Sequence, residues 1–125
     1  MKPEEYLKDF QEWPNHWSEV EEDIPYGRCL LSIFGEFVEF LSEAGLNTRT
    51  IRKHMDNLWL LGGEIIRDVN LYEEYEITPK QKLAGMVDSS GGPFCRHLIS
   101  GNEINSFDAT CRKLHKYMHM KKKDG

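Results

Sequence analysis

The chain has 125 residues, 39% of them hydrophobic and 30% charged, with a formal net charge of -5. That length supports one hydrophobic core and is too short for two comfortable domains, and fourteen aromatic residues spread along it argue against disorder. Net acidity repels phosphate, but the charge is lopsided: residues 1–45 hold eleven Asp/Glu against three Lys/Arg, whereas residues 46–125 hold ten against thirteen, so an anionic partner would meet the second part.

Residues 1–26 read as an N-terminal arm. Pro3 suits the first position of a helix, and Glu4 and Glu5 follow where negative charge favours a helix start. Tyr6, Phe10, Trp13 and Trp17 recur at helical spacing, which predicts one aromatic face that packs as core or clamps the arm to the body. Pro14 should end or kink the helix near residue 13, giving a short helix and then a turn. Trp17 to Tyr26, with Glu19, Glu21, Glu22 and Asp23, lacks the ligand pattern of a calcium loop and reads as a solvated acidic linker.

From about Gly27 to Ala44 the residues Leu30, Ile33, Phe34, Phe37, Val38, Leu41 and Ala44 keep helical period, opposite Glu36, Glu39 and Glu43. Gly45 and Leu46 then form a C-terminal cap and Asn47 caps the next helix. That helix directs Ile51, Met55, Leu58, Trp59, Ile65 and Ile66 towards a core, with Arg49, Arg52, Lys53 and His54 crowded into its first two turns. Basic residues there oppose the helix dipole, which calls for another reason: phosphate contact, or salt bridges to the acidic first half. Gly62-Gly63 costs the helix about 2 kcal/mol relative to two alanines, which predicts either a bend there or, since Leu60-Leu61 and Ile65-Ile66 read as buried, a close crossing by a neighbouring helix. Tyr72 to Ile77 alternates too weakly for a strand, and Thr78-Pro79-Lys80-Gln81 opens a helix to about Val87. Residues 88–93 are a glycine-rich loop without the spacing or lysine of a P-loop. A last helix over 103–119 should bury Ile104, Phe107, Cys111, Leu114 and Met118, and residues 121–125 form a disordered basic tail. The whole is an all-α fold, a small bundle of about four to five helices in a single domain over residues 1–120.

The chemistry-bearing residues do not assemble into a recognisable catalytic motif. Cys111, His115 and His119 stand at four-residue intervals on the last helix and could offer a zinc ion two ligands, with His97 or Cys95 completing the site. Against this, Cys111 falls on the apolar stripe and the helix carries His119 away from it, so neither metal nor cofactor is expected. No Gly-x-Ser-x-Gly, Ser-x-x-Lys, His-Glu-x-x-His or Glu-x-x-His occurs, and a non-catalytic protein is predicted. The three cysteines, an odd number without a disulfide pattern, should remain reduced. No apolar run approaches the roughly 20 residues of a membrane span, and Met1 to Glu5 lacks the apolar stretch of a signal peptide, which predicts no membrane partner and a cytoplasmic location.

The stretch Phe34 to Val69, FGEFVEFLSEAGLNTRTIRKHMDNLWLLGGEIIRDV, resembles the SAM-like core-binding N-terminal domain of phage integrases and other tyrosine recombinases. The likeness rests on an amphipathic helix ending in Phe40-Leu41, then Ala44-Gly45-Leu46, then Asn47 to Arg52 opening the next helix, backed by Met55 and Leu58. It implies a bacterial or phage-type helical bundle with this helix pair at its centre, in which Thr48, Arg49, Thr50, Arg52 and Lys53 lie where the family touches DNA phosphate. The catalytic domain of that family has no counterpart here. Two functions therefore follow as expectations. One is a nucleic-acid-associated module using Thr48 to Lys53 together with Arg112, Lys113 and Lys116 of the last helix; the other is a protein-interaction or regulatory adaptor docking a partner on the aromatic and acidic arm.

Overall fold

A computed structural model describes residues 1–124, with side chains through Met120; of the tail expected to be disordered at 121–125, residues 121–124 continue the last helix, and residue 125 lies outside the described residues. Six α-helices and no strand occur among them: α1 (Pro3–Tyr6), α2 (Trp13–Trp17), α3 (Asp23–Glu43), α4 (Thr48–Tyr72), α5 (Pro79–Met86) and α6 (Gly101–Asp124), with a single 3-10 turn at Phe10–Glu12. The long helices α3, α4 and α6 frame the bundle, and the short helices of the arm lie against α3 and α4. No helix is long and apolar enough to cross a membrane.

The expected boundaries hold where capping chemistry specifies them. The Asn47 side chain accepts the Thr50 amide at 2.9 Å to open α4, and Thr78 and Gln81 form a reciprocal capping box at α5. Gly45 takes φ +88°, the left-handed conformation that ends α3. Two expectations in the arm need correction. Pro14 begins a helix rather than ending one: it is the second residue of α2, where its missing N–H has no intrahelical partner to lose. The solvated linker stops short of Tyr26, because α3 already starts at Asp23, a residue only 1% exposed.

That buried carboxylate is fully satisfied. It accepts the amides of Glu19 (2.9 Å) and Val20 (3.2 Å), the Tyr75 hydroxyl (2.7 Å) and the Asn70 amide (3.4 Å), so it joins the start of α3 to the end of α4 and the turn beyond. Beside it, Lys82 of α5 pairs with Asp68 and Glu74. Burial alone would lower the Lys82 pKa, but hydrogen bonds to the two carboxylates outweigh it and raise the value.

Tyr6, Phe10, Trp13 and Trp17 all enter the core. They form a chain of rings, Phe10 edge-on to Trp13 at 4.7 Å between centroids and Trp17 edge-on to Phe34 at 6.1 Å. Trp17 also explains half of the Gly62-Gly63 pair. A Cβ on Gly62 would collide with Cζ2 of the Trp17 ring, so the close neighbour is an indole rather than a crossing helix. A Cβ on Gly63 would meet Trp17 Cδ1 at 3.6 Å, an ordinary contact; packing gives no reason for glycine there. Two side chains expected in the core are outside it, Trp59 (44% exposed) and Ile104 (42%). Trp59 falls on the flank of α4 away from α3, and Ile104 on a first turn of α6 that lies ahead of the residues packed on α4.

Gly62→Ala should therefore destabilise the protein by about 1–3 kcal/mol through overpacking, seen as a lower urea midpoint at unchanged m-value, because the rigid ring of Trp17 cannot yield to a new methyl. An equal or higher midpoint would contradict this packing.

Candidate nucleic-acid interface

Helices α4 and α6 run antiparallel along a polar seam. His54 Nδ1 lies 2.7 Å from Thr110 Oγ1, and Asn57 donates to Thr110 Oγ1 (2.8 Å), Ser106 Oγ (3.1 Å) and the Ser106 carbonyl (3.1 Å). Thr110 and Asn57 are buried and fully partnered, which fixes the rotation of one helix against the other.

The seam sorts the predicted contact residues. Lys53 and Lys113 flank His54: burial first, then the charges of Lys113 and Lys53, lower the His54 pKa. Arg49 shares a helical face with Lys53, as Lys116 does with Lys113. Because the helices are antiparallel, both pairs extend from the 54–110 crossing towards the same end of the bundle. Arg49, Lys53, Lys113 and Lys116 are all exposed, and none forms an ion pair among the described residues. The salt bridges to the acidic first half, one of the two reasons considered for this basic turn, do not form here. The other predicted residues face elsewhere. Arg52 Nε donates to the Tyr6 carbonyl at 3.1 Å and so holds the arm; Arg112 reaches the Ser90 carbonyl at 3.4 Å on the glycine-rich loop. Thr48 is exposed beside Arg49, and the Thr50 amide is occupied by the Asn47 cap.

The remaining candidates do not form sites. Among the described residues, no three His, Cys, Asp or Glu come together as a metal would need. Cys111 is buried under Gly92, and burial, with Asp108 adding to it, pushes its thiol up to about 12, far from the thiolate a metal binds. The rings of His115 and His119 lie against each other with centroids 4.1 Å apart and planes tilted by 49°, and His119 Nδ1 lies 3.0 Å from the His115 carbonyl of its own helix. The glycine-rich loop uses its amides internally: Ser90 and Gly91 donate to Asp88, and Gly92 to Asp108.

Compared with family models, curated proteins and solved structures, the chain matches none. What the structure adds to the sequence reading is a groove along α4. Alongside the 54–110 crossing, Lys53, Asp56, Asn57 and Leu60 of α4 line a cleft of about 340 Å³ together with Leu98, Glu103 and Ser106. One turn further, a second cleft of about 180 Å³ lies between Trp17, Trp59, Gly63 and Arg67 on one side and Arg96 and His97 on the other. Sequence reasoning misses this part because helical period assigns Trp59 to the core and Arg96-His97 lie in a segment with no periodicity. The aromatic half of the arm is buried, so what the arm leaves exposed to meet a partner is mostly polar, Glu5, Asp9, Glu12, Glu19, Glu21 and Glu22 among it.

His54 gives a pH signature. Its folded pKa lies below the unfolded value of 6.5, so the native state resists the proton that the unfolded chain accepts; stability is full above pH 6.5 and declines as pH falls from there through the folded pKa. Chemical denaturation between pH 7.5 and 5 should show this decline, and His54→Gln should flatten it relative to the parent. Parallel pH profiles for the two proteins would contradict the assignment.

Proposed function

We propose that this protein is a non-catalytic, nucleic-acid-associated helical module that meets phosphate through Arg49, Lys53, Lys113 and Lys116. The observation that supports the reading is the convergence of Lys53 and Lys113 on His54 from two different helices, with no carboxylate pairing either among the described residues. Two cations beside a half-buried imidazole oppose its protonation, which lowers its pKa, and they repel each other. A phosphate between them would relieve that repulsion. The resemblance of residues 34–69 to the core-binding domain of tyrosine recombinases points the same way, since the start of the second helix is where that family touches DNA. The acidic surface of the first 45 residues would confine binding to this face and keep it weak away from low salt.

Binding to a labelled nucleic acid should weaken steeply with salt, and Lys53→Ala with Lys113→Ala should reduce the slope of log K against log [salt] by about 2, one for each phosphate that a lysine no longer neutralises. An unchanged slope, or no binding at 20 mM salt, would remove the reading.

A further inference from the structure

We infer that the cleft between Trp59 and Arg96 is a binding site for a planar aromatic anion, the base and adjoining phosphate of a single-stranded nucleic acid or of a free nucleotide. Such a site rests on the reading above and extends it from phosphate contact to capture of an unstacked base.

Four features of the cleft carry it. Its volume, about 180 Å³, is below the roughly 300 Å³ at which pockets for whole drug-sized molecules begin, yet it suits one ring system. Its wall is Trp59, a large aromatic left 44% exposed in a stretch of α4 where Leu58, Leu61, Ile65 and Ile66 are buried, and every base has a face that stacks on such a ring. Its rim carries Arg67 and Arg96, both exposed and without an ion pair or hydrogen bond among the described residues, with His97 beside them; a guanidinium is suited to bidentate phosphate contact. The fourth feature is Gly63. A Cβ at that position would be in ordinary contact with Trp17, so an alanine fits the fold and would favour the helix. Glycine instead keeps the side of the cleft open for a flat ring to approach the backbone.

Glu19 and Glu64 also border the cleft. Their carboxylates can accept hydrogen bonds from exocyclic amino groups of a base. The order along α4 fits a strand in the groove: Lys53 to Arg67 spans fourteen residues, about 21 Å of helix at 1.5 Å per residue, a few nucleotides of extended strand.

The test uses the full chain, labelled dA10 read by fluorescence anisotropy, and AMP as competitor. Trp59→Leu is expected to weaken dA10 about tenfold and Trp59→Phe to restore much of it. Gly63→Ala is expected to raise the Tm by about 3 °C while weakening dA10 several-fold; a gain in stability with a loss of binding is not what a purely structural glycine would give. If AMP competes, the site accepts the free nucleotide; if AMP binds and dA10 does not, the site stands with a free nucleotide as its ligand and the nucleic-acid reading falls. If Lys53→Ala and Lys113→Ala weaken dA10 but Trp59→Leu and Gly63→Ala leave it within twofold of the parent, the base site is overturned and the phosphate reading survives. Absence of binding by both probes up to millimolar AMP overturns the site outright.

Discussion

The indole of Trp17 lies where α4 has no side chain. At Gly62 the ring approaches the helix so closely that even a methyl group is excluded, and its N–H donates to the Trp59 carbonyl at 3.0 Å. This one contact joins the arm to α4, passes through Phe34 to α3, and sets the outer flank of α4 on which Trp59 stands. Without it the indole of Trp17 would lose its seat on α4 and part of the apolar area of the arm would return to water. The glycine weakens α4 as an isolated helix, but the penalty of about 1 kcal/mol is smaller than what burying an indole contributes, so tertiary packing decides the matter.

The second constraint is the α4–α6 seam. A core built only of Leu, Ile and Phe would allow α6 to slide or rotate, because apolar contact is non-directional. Asn57 and Thr110, both buried and hydrogen-bonded to each other, admit one register. That register sets Lys53 beside Lys113 and turns Arg112 towards the glycine-rich loop. Surface chemistry here is thus a consequence of a buried polar pair.

Much of this is legible in the amino-acid sequence, wherever a local rule decides the outcome. Asn47 and Thr78 cap because their side chains satisfy amides three residues on, and the period of Leu30 to Leu41 needs no partner to be read. The aromatic arm and the glycine pair are legible as features, though the sequence does not say that each explains the other, since Trp17 and Gly62 meet only in three dimensions. Asp23 escapes a sequence reading for a physical reason: an aspartate among glutamates looks solvated, and its burial is offset by the nearby amides of Glu19 and Val20 together with Asn70 from the end of α4 and Tyr75 from the turn beyond it. Trp59 escapes it in the opposite sense, because helical period marks a residue at the edge of an apolar face without showing whether a neighbour covers it. Of the basic residues, the sequence supplies the set but not the subset, which depends on which helix faces which.

The separation of 42 residues between Trp17 and its partner Trp59 bears on how the chain is made. Synthesis runs from the N-terminus, so Tyr6, Phe10, Trp13 and Trp17 emerge well before the surface of α4 that covers them, and α3 alone cannot bury all four rings. The nascent chain therefore carries an uncovered aromatic face until α4 has left the ribosome, a window in which exposed apolar surface invites association with other chains or with a chaperone. The acidic residues that follow those rings, Glu19, Glu21 and Glu22, keep that early segment charged while the rings wait for their cover.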